Sequence, residues 1–215
     1  MKKIKGRKMI EKSMDIIGKV AQRAKEVLLR PGKTFEVIKD EATTSRDLIF
    51  GYLVILAIIP AVASIIGMSA VGTRISFVGT FRLPLVNSLS MAVVQYVLTL
   101  IGIYILGLII NALASSFSGV KNEVQALKVA VYCATPSLVV GILYIVPALS
   151  VLVIIAGLYG LYLLYLAIPI MMGCPKEKAL GYTVVVIIVD IVVSIVIASL
   201  VSLIPGVGLG FRFLG

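Results

Sequence analysis

The sequence predicts an all-α membrane protein, a five-span transmembrane helix bundle with an N-terminal amphipathic cytoplasmic helix. Three observations carry that prediction. Of 215 residues, 60% are hydrophobic and 14% charged, against about 25% charged in ordinary soluble domains. Five apolar runs reach the roughly 20 helical residues needed to cross about 30 Å of hydrocarbon. The charges crowd at one end: Met1 to Asp47 holds 13 of the 20 Lys/Arg and 7 of the 10 Asp/Glu, so most of the net +10 belongs there.

Residues 1–46 read as a basic amphipathic cytoplasmic or interfacial segment. A polybasic start, Lys2, Lys3, Lys5, Arg7 and Lys8, leads into a predicted helix over Met9 to Arg30. There Ile10, Met14, Ile17, Val20, Ala21, Ala24, Val27 and Leu28 recur at steps of three and four, with Lys12, Asp15, Lys19, Arg23, Glu26 and Arg30 on the other side. Pro31-Gly32 stops it. Each basic residue beside an anionic leaflet contributes about 1 kcal/mol, so Lys2, Lys3, Lys5, Arg7, Lys8, Lys12 and Lys19 are candidate headgroup contacts. The same charges also serve to enforce positive-inside insertion. A second short helix is predicted over Thr34 to Glu41, with Phe35 and Ile38 as apolar contacts, and Thr44 with Asp47 has capping-box spacing.

Residues 47–205 hold the five spans, at about 48–68, 91–115, 126–146, 149–172 and 180–204, followed by a short external tail, 206–215. Strands compete weakly, because the Val/Ile-rich runs are apolar on both parities whereas barrel strands alternate. The first run starts only after 47 residues and is as long as a full span, so it reads as retained, not as a cleaved signal peptide. Lys128, near the start of the third span, is expected to snorkel toward the headgroups. With the N-terminus cytoplasmic, 17 Lys/Arg lie inside and Arg74, Arg82 and Arg212 outside. The tail decides this, and five spans then place the C-terminus outside. Short turns make spans two to five antiparallel neighbours. The longer first connection, about Ser69 to Ser90, reads as a surface loop. Ala126-Leu127 and Ala179-Leu180, with Gly107 and Gly160 at the same offset, hint at a duplicated hairpin.

Zero His excludes His-based acid–base catalysis, Ser-His-Asp and Cys-His nucleophile systems and His-ligated metal sites. No cofactor, metal or nucleic-acid partner is expected. Cys133 and Cys174 form no disulfide or thiolate-metal pattern, and juxtamembrane Cys174 is a minor candidate for palmitoylation. Asp190 is the one acid inside a span. Ten residues into the predicted fifth helix, it sits about 15 Å deep, with Thr183 and Ser194 on its face, and no Lys or Arg at its depth. An unpaired charge there is costly, so a neutral, hydrogen-bonded acid is expected. Asp190, Thr183, Ser194, Asn111 and Tyr132 make the candidate intramembrane polar site, against a plain interhelical hydrogen bond. Tyrosines such as Tyr159, Tyr162 and Tyr165 read first as packing residues. Pro60, Pro136 and Pro169 should kink their spans, and Ala63-x-x-x-Gly67 and Gly157-x-x-Gly160 offer close-packing surfaces.

The order of Leu28-Leu-Arg-Pro31 with Phe35 and Ile38, Ala130-Val-Tyr132-Cys-Ala-Thr-Pro136, Tyr144-Ile-Val-Pro147, Gly157-Leu-Tyr-Gly-Leu-Tyr162 and Lys176-Glu-Lys-Ala-Leu180 resembles the Yip domain family, the Ypt/Rab-interacting membrane proteins, in its prokaryotic branch. The resemblance covers most of the chain. It implies a non-enzymatic, multi-pass cell-membrane protein with a cytoplasmic N-terminus, whose eukaryotic relatives engage prenylated Rab GTPases. Their Asp-Leu-Tyr-Gly-Pro signature is absent; Asp47-Leu-Ile-Phe-Gly51 is a loose echo. Two functions follow as expectations. One is a membrane scaffold or adaptor that binds anionic lipid or a protein partner through the N-terminal segment, alone or as a homo-oligomer. The alternative is a small transporter, channel or lipid-handling protein with a cavity near Asp190.

Overall fold

A computed structural model describes residues 2–75 and 79–202, and within them the side chains other than those of residues 2–13, 73–81, 198 and 200–202. Two helices precede the bundle. Helix α1, Lys2–Leu29, begins seven residues before the predicted start. Helix α2, Pro31–Asp40, opens on the proline that ends α1, since proline tolerates the first helical turn where its missing N–H is not needed. Thr34 ties the two together, its hydroxyl donating to the carbonyls of Glu26 and Arg30 at 3.0 and 2.8 Å.

Five helices are long and apolar enough to cross a membrane: Ser45–Val71, Leu85–Phe117, Glu123–Ile145, Pro147–Met172 and Lys176–Ile197. Their ends run past several predicted edges because polar caps belong to the helices. Thr44 and Asp47 form the predicted capping box, with the Asp47 N–H donating to the Thr44 hydroxyl at 3.2 Å. Asn122 accepts from the Gln125 N–H at 3.1 Å and starts the third span. Gly173, at φ 64°, closes the fourth in the left-handed conformation that glycine adopts freely.

Two departures from the predicted spans matter. The first span is α-helical in its middle but widens into π turns at Ile49–Leu53 and Gly67–Val71. The third is broken: an α-helix Glu123–Cys133 gives way at Ala134 to a second, Thr135–Val140, then to a 3-10 turn Gly141–Ile145. Pro136 therefore opens a new segment instead of kinking a continuous one. Pro60 and Pro169 do lie inside their helices. The first connection is an antiparallel ribbon, β1 Thr73–Ile75 with β2 Gly79–Phe81, where a loop was expected. We call its end of the bundle distal, and the end carrying α1 and α2 proximal. The predicted tail 206–215 lies outside the described residues.

In lipid, helices associate through close packing more than through hydrophobic force, and small residues permit the approach. A Cβ on Gly67 would fall 1.9 Å from the Tyr144 carbonyl oxygen, and one on Gly160 would fall 2.7 Å from that of Cys133. A Cβ on Gly107 would stand 3.2 Å from the Leu127 Cα. Gly107 and Gly160 thus seat the second and fourth spans against opposite stretches of the third, whose Ala126–Cys133 run is buried throughout. Tyrosine hydroxyls cross-link the rest: Tyr52 with the Thr135 hydroxyl at 3.0 Å, Tyr96 to the Val54 carbonyl at 3.0 Å, and Tyr182 to the Ile110 carbonyl.

Candidate functional site

The densest polar construction lies at the proximal end, where α1 and α2 dock. The docked faces are short. Val20, Ala24 and Val27 of α1, spaced four and three apart, are buried, as are Phe35 and Ile38 of α2, both 0% exposed. Burying a side chain of that size is worth about 1.5–3 kcal/mol. The remaining described stripe residues do not follow: every side chain from Met14 to Lys19 is exposed, with Met14 at 67% and Ile17 at 57%.

Bundle side chains then grip the main chain of these helices. The last carbonyls of a helix lack intrahelical donors and carry its negative dipole end. Lys128 supplies the donor, its Nζ reaching the carbonyls of Ile38 and Glu41 at 2.7 Å each while only 1% of the residue is exposed. The expected snorkelling is therefore corrected, because α2 brings acceptors to the lysine. Gln125 Nε2 donates to the Lys39 carbonyl at 2.8 Å, and the Tyr159 hydroxyl to the Leu28 carbonyl at 2.8 Å. Arg23 bridges α1 to the end of α2 through an ion pair with Glu41, and contacts Glu26 at 3.5 Å.

Beneath α1 this docking leaves a cavity of about 450 Å³ lined by Ile16, Lys19, Val20, Gln22, Arg23, Glu26, Gly51, Tyr52 and Tyr132. Its floor includes Gly51 and Tyr52 of the first π turn. Tyr52 and Tyr132 pack edge to face, centroids 5.0 Å apart. Lys19 is thus placed on the cavity wall, salt-bridged to Asp15 at 2.8 Å. The side chains of Lys2, Lys3, Lys5, Arg7, Lys8 and Lys12 lie outside the described residues. Sequence reasoning missed Arg23, Gln22, Glu26, Gly51 and Tyr52 as a group. The glycine in Phe50-Gly51-Tyr52, at the edge of an apolar run, was the available signal.

The residues of the predicted intramembrane group make no hydrogen bond to one another among the described residues. Tyr132 belongs to the proximal cavity. Thr183 is buried and donates to the Ala179 carbonyl of its own helix at 2.8 Å. Asn111 is half-buried, its Oδ1 without a hydrogen-bond partner, and Ser194 is exposed. Asp190 is half-buried and makes no hydrogen bond or ion pair among the described residues. Because the helix starts at Lys176, Asp190 lies 14 residues on, about 21 Å along the axis. A second cleft, about 570 Å³, lies between the distal halves of the first four spans, with Ser64, Gln95, Tyr96, Thr99 and Ser137 among its lining and no charged residue. Neither cavity includes Asp190. Cys174 is 5% exposed, and burial pushes its thiol above the usual range, which disfavours the thiolate that acylation would need.

Among the described residues no three His, Cys, Asp or Glu side chains gather as a metal site. Comparison with known proteins gives a family and a named relative. The Yip1 domain pattern matches residues 25–198, taking in the end of α1, α2 and the five spans. Inner membrane protein YohC of Escherichia coli (strain K12) is 25% identical over 181 residues, covering 83% of this chain and 93% of the relative. YohC of Escherichia coli O6:H1 aligns with the same figures. No solved structure matches.

Proposed function

This chain belongs to the Yip1 domain family of integral membrane proteins, and we propose that it is a non-enzymatic membrane scaffold or adaptor. In this reading the proximal end faces the cytoplasm. Helix α1 is presented there to anionic headgroups or to a protein partner, and the spans anchor it, singly or as a homo-oligomer.

The mounting of α1 supports this reading. Its last turn is held by the Tyr159 hydroxyl on the Leu28 carbonyl, and it is braced by α2, whose end Lys128 and Gln125 hold through the carbonyls of Ile38, Lys39 and Glu41. The next stretch back, Met14–Lys19, offers Met14, Ile16 and Ile17 to the surroundings beside Lys19. Further back the sequence is basic. Exposed apolar side chains flanked by cations suit the headgroup–acyl boundary, and a fixed base would hold the helix there. The relative is an inner membrane protein, which fits a bilayer location for this chain.

The test uses full-length protein in vesicles, carrying an environment-sensitive probe at position 14, 17 or 19. With anionic lipid present, probes at 14 and 17 should report an apolar setting and the probe at 19 a wet one. Deleting residues 2–13, which leaves the docked face intact and removes six basic residues, should weaken that contact and lower its salt sensitivity. Probes at 14 and 17 that remain equally wet with and without anionic lipid would sink the lipid reading.

The 570 Å³ distal cleft favours a second reading, in which an uncharged amphiphile or lipid tail is handled within the bilayer. Lipid scrambling or solute flux in proteoliposomes tests it. On the scaffold reading, wild-type protein shows no more flux than empty vesicles.

A further inference from the structure

We propose that the seam between the first and third spans is a closed passage for small uncharged solutes, gated by the Tyr52–Thr135 hydrogen bond. It stands independently of what α1 binds.

The two cavities share that seam. The proximal one is lined by Gly51, Tyr52 and Tyr132, and the distal cleft by Ala57, Pro60 and Ser137 of the same two spans. Five residues separate Tyr52 from Ala57, and five separate Tyr132 from Ser137, about 7 Å of helix rise in each span. Each cavity meets its own surface: Lys19 and Gln22 of the proximal wall are exposed, as is Ser150 of the distal cleft. One layer closes the space between them. There Tyr52 is 5% exposed, Leu56 4% and Thr135 0%, and the Tyr52 and Thr135 hydroxyls meet at 3.0 Å.

Both sides of that layer stand on irregular backbone. Tyr52 belongs to the π turn Ile49–Leu53, and Thr135 follows the break at Ala134. Backbone departs from the helix at membrane depth only where it is buried in protein or lines a cavity, and π turns recur at functional sites. Element ends of this kind absorb the φ/ψ changes of a gating motion. The hydrogen bond ties one joint to the other, so parting it releases both.

Charge defines the solute. Lys19 pairs with Asp15, and Arg23 with Glu26 and Glu41, so the proximal wall carries no unmatched cation. The lining of the distal cleft contains no charged residue, and an ion there would be an uncompensated charge at membrane depth. Ser64, Gln95, Thr99 and Ser137 offer it only neutral hydrogen-bonding groups. These suit a small polyol or amide.

Stopped-flow swelling of proteoliposomes carrying the full-length protein tests this with glycerol as the probe and potassium efflux as the ion control. Wild type should pass glycerol no faster than empty vesicles. Tyr52→Phe keeps the ring on Tyr132 and removes the hydroxyl; it should open the seam about fivefold more often and lift glycerol permeability above the empty-vesicle rate. Thr135→Val, of nearly the same shape, should do likewise. Adding Gly51→Leu, which fills open space in the proximal cavity, or Thr99→Phe in the cleft should return that flux to background. The proposal is overturned by glycerol flux absent from both hydroxyl variants, equal in wild type and Tyr52→Phe, undiminished by both fillings, or matched by potassium. Lipid scrambling that rises in place of glycerol flux would give the seam to lipid and refute the solute.

Discussion

Replacing Lys128 by Met measures what the clasp on α2 is worth. The substitution keeps an unbranched chain of similar length and removes the ammonium. Two charge-assisted hydrogen bonds of 2.7 Å disappear, each of a kind worth about 1.5–3 kcal/mol. Their losses are unequal. The Ile38 carbonyl still accepts from the Glu41 N–H at 3.3 Å, whereas the Glu41 carbonyl is left without its donor. The favourable placement of a cation at the end of α2 goes too, and relief from burying a charge offsets part of the total. A net loss of about 3 kcal/mol results, and at roughly 2–4 °C per kcal/mol for a chain of this size the melting temperature falls by about 6–12 °C. Circular dichroism of the full-length protein in detergent reads this, and protease cutting between residues 30 and 45 should accelerate. Glu41→Ala is the control: the acceptor is its main chain, so only the partly exposed Arg23 pair is lost, for less than about 1 kcal/mol. Lys128→Met melting within about 1 °C of wild type would refute the account.

Three further outcomes are expected. Gly67→Ala puts a methyl 1.9 Å from the Tyr144 carbonyl oxygen and should lower the melting temperature by several degrees, whereas Gly51→Ala, facing open space, should leave it unchanged; similar values for the two would show that the close approach is misassigned. Cys174, buried and with its thiol pushed up, should react with a small maleimide at neutral pH only after unfolding; raising the pH should go on speeding the reaction of the folded protein above the point where an exposed thiol has levelled off. Asp190→Asn removes no hydrogen bond, so the melting temperature should stay within about 1 °C. Loss of a flux activity in that variant, with stability intact, would instead assign the carboxyl a coupling role.

What could be read from the chain was what the bilayer imposes. Lipid obliges every span to satisfy its own amides, so Leu48–Met68 and its four counterparts declare themselves by length and polarity. The span edges do not: Ser45–Asp47, and Glu123 and Gln125, are polar yet helical because caps hold them. Thr135-Pro136 was visible as a disturbance, but whether proline bends a helix or restarts one depends on the preceding turn. Lys128 was misread because its acceptors lie 87 and 90 residues away, and the Tyr159 acceptor 131. Hydrophobic periodicity carries nothing over such separations. The proximal cavity was hidden for a further reason: its floor depends on a π turn, and the single glycine of Ile49–Leu53 marks an interruption of the apolar run without specifying that turn.

The clasp acts on carbonyls at Leu28, Ile38, Lys39 and Glu41, atoms every residue type provides. Evolution can therefore rewrite the outer surfaces of both N-terminal helices while the socket in the third and fourth spans stays the same. Only the inward residues, such as Phe35 and Ile38, are bound to their roles. A common membrane base can thus carry helices of different surface chemistry, and diversification among relatives should concentrate on the face turned away from the bundle.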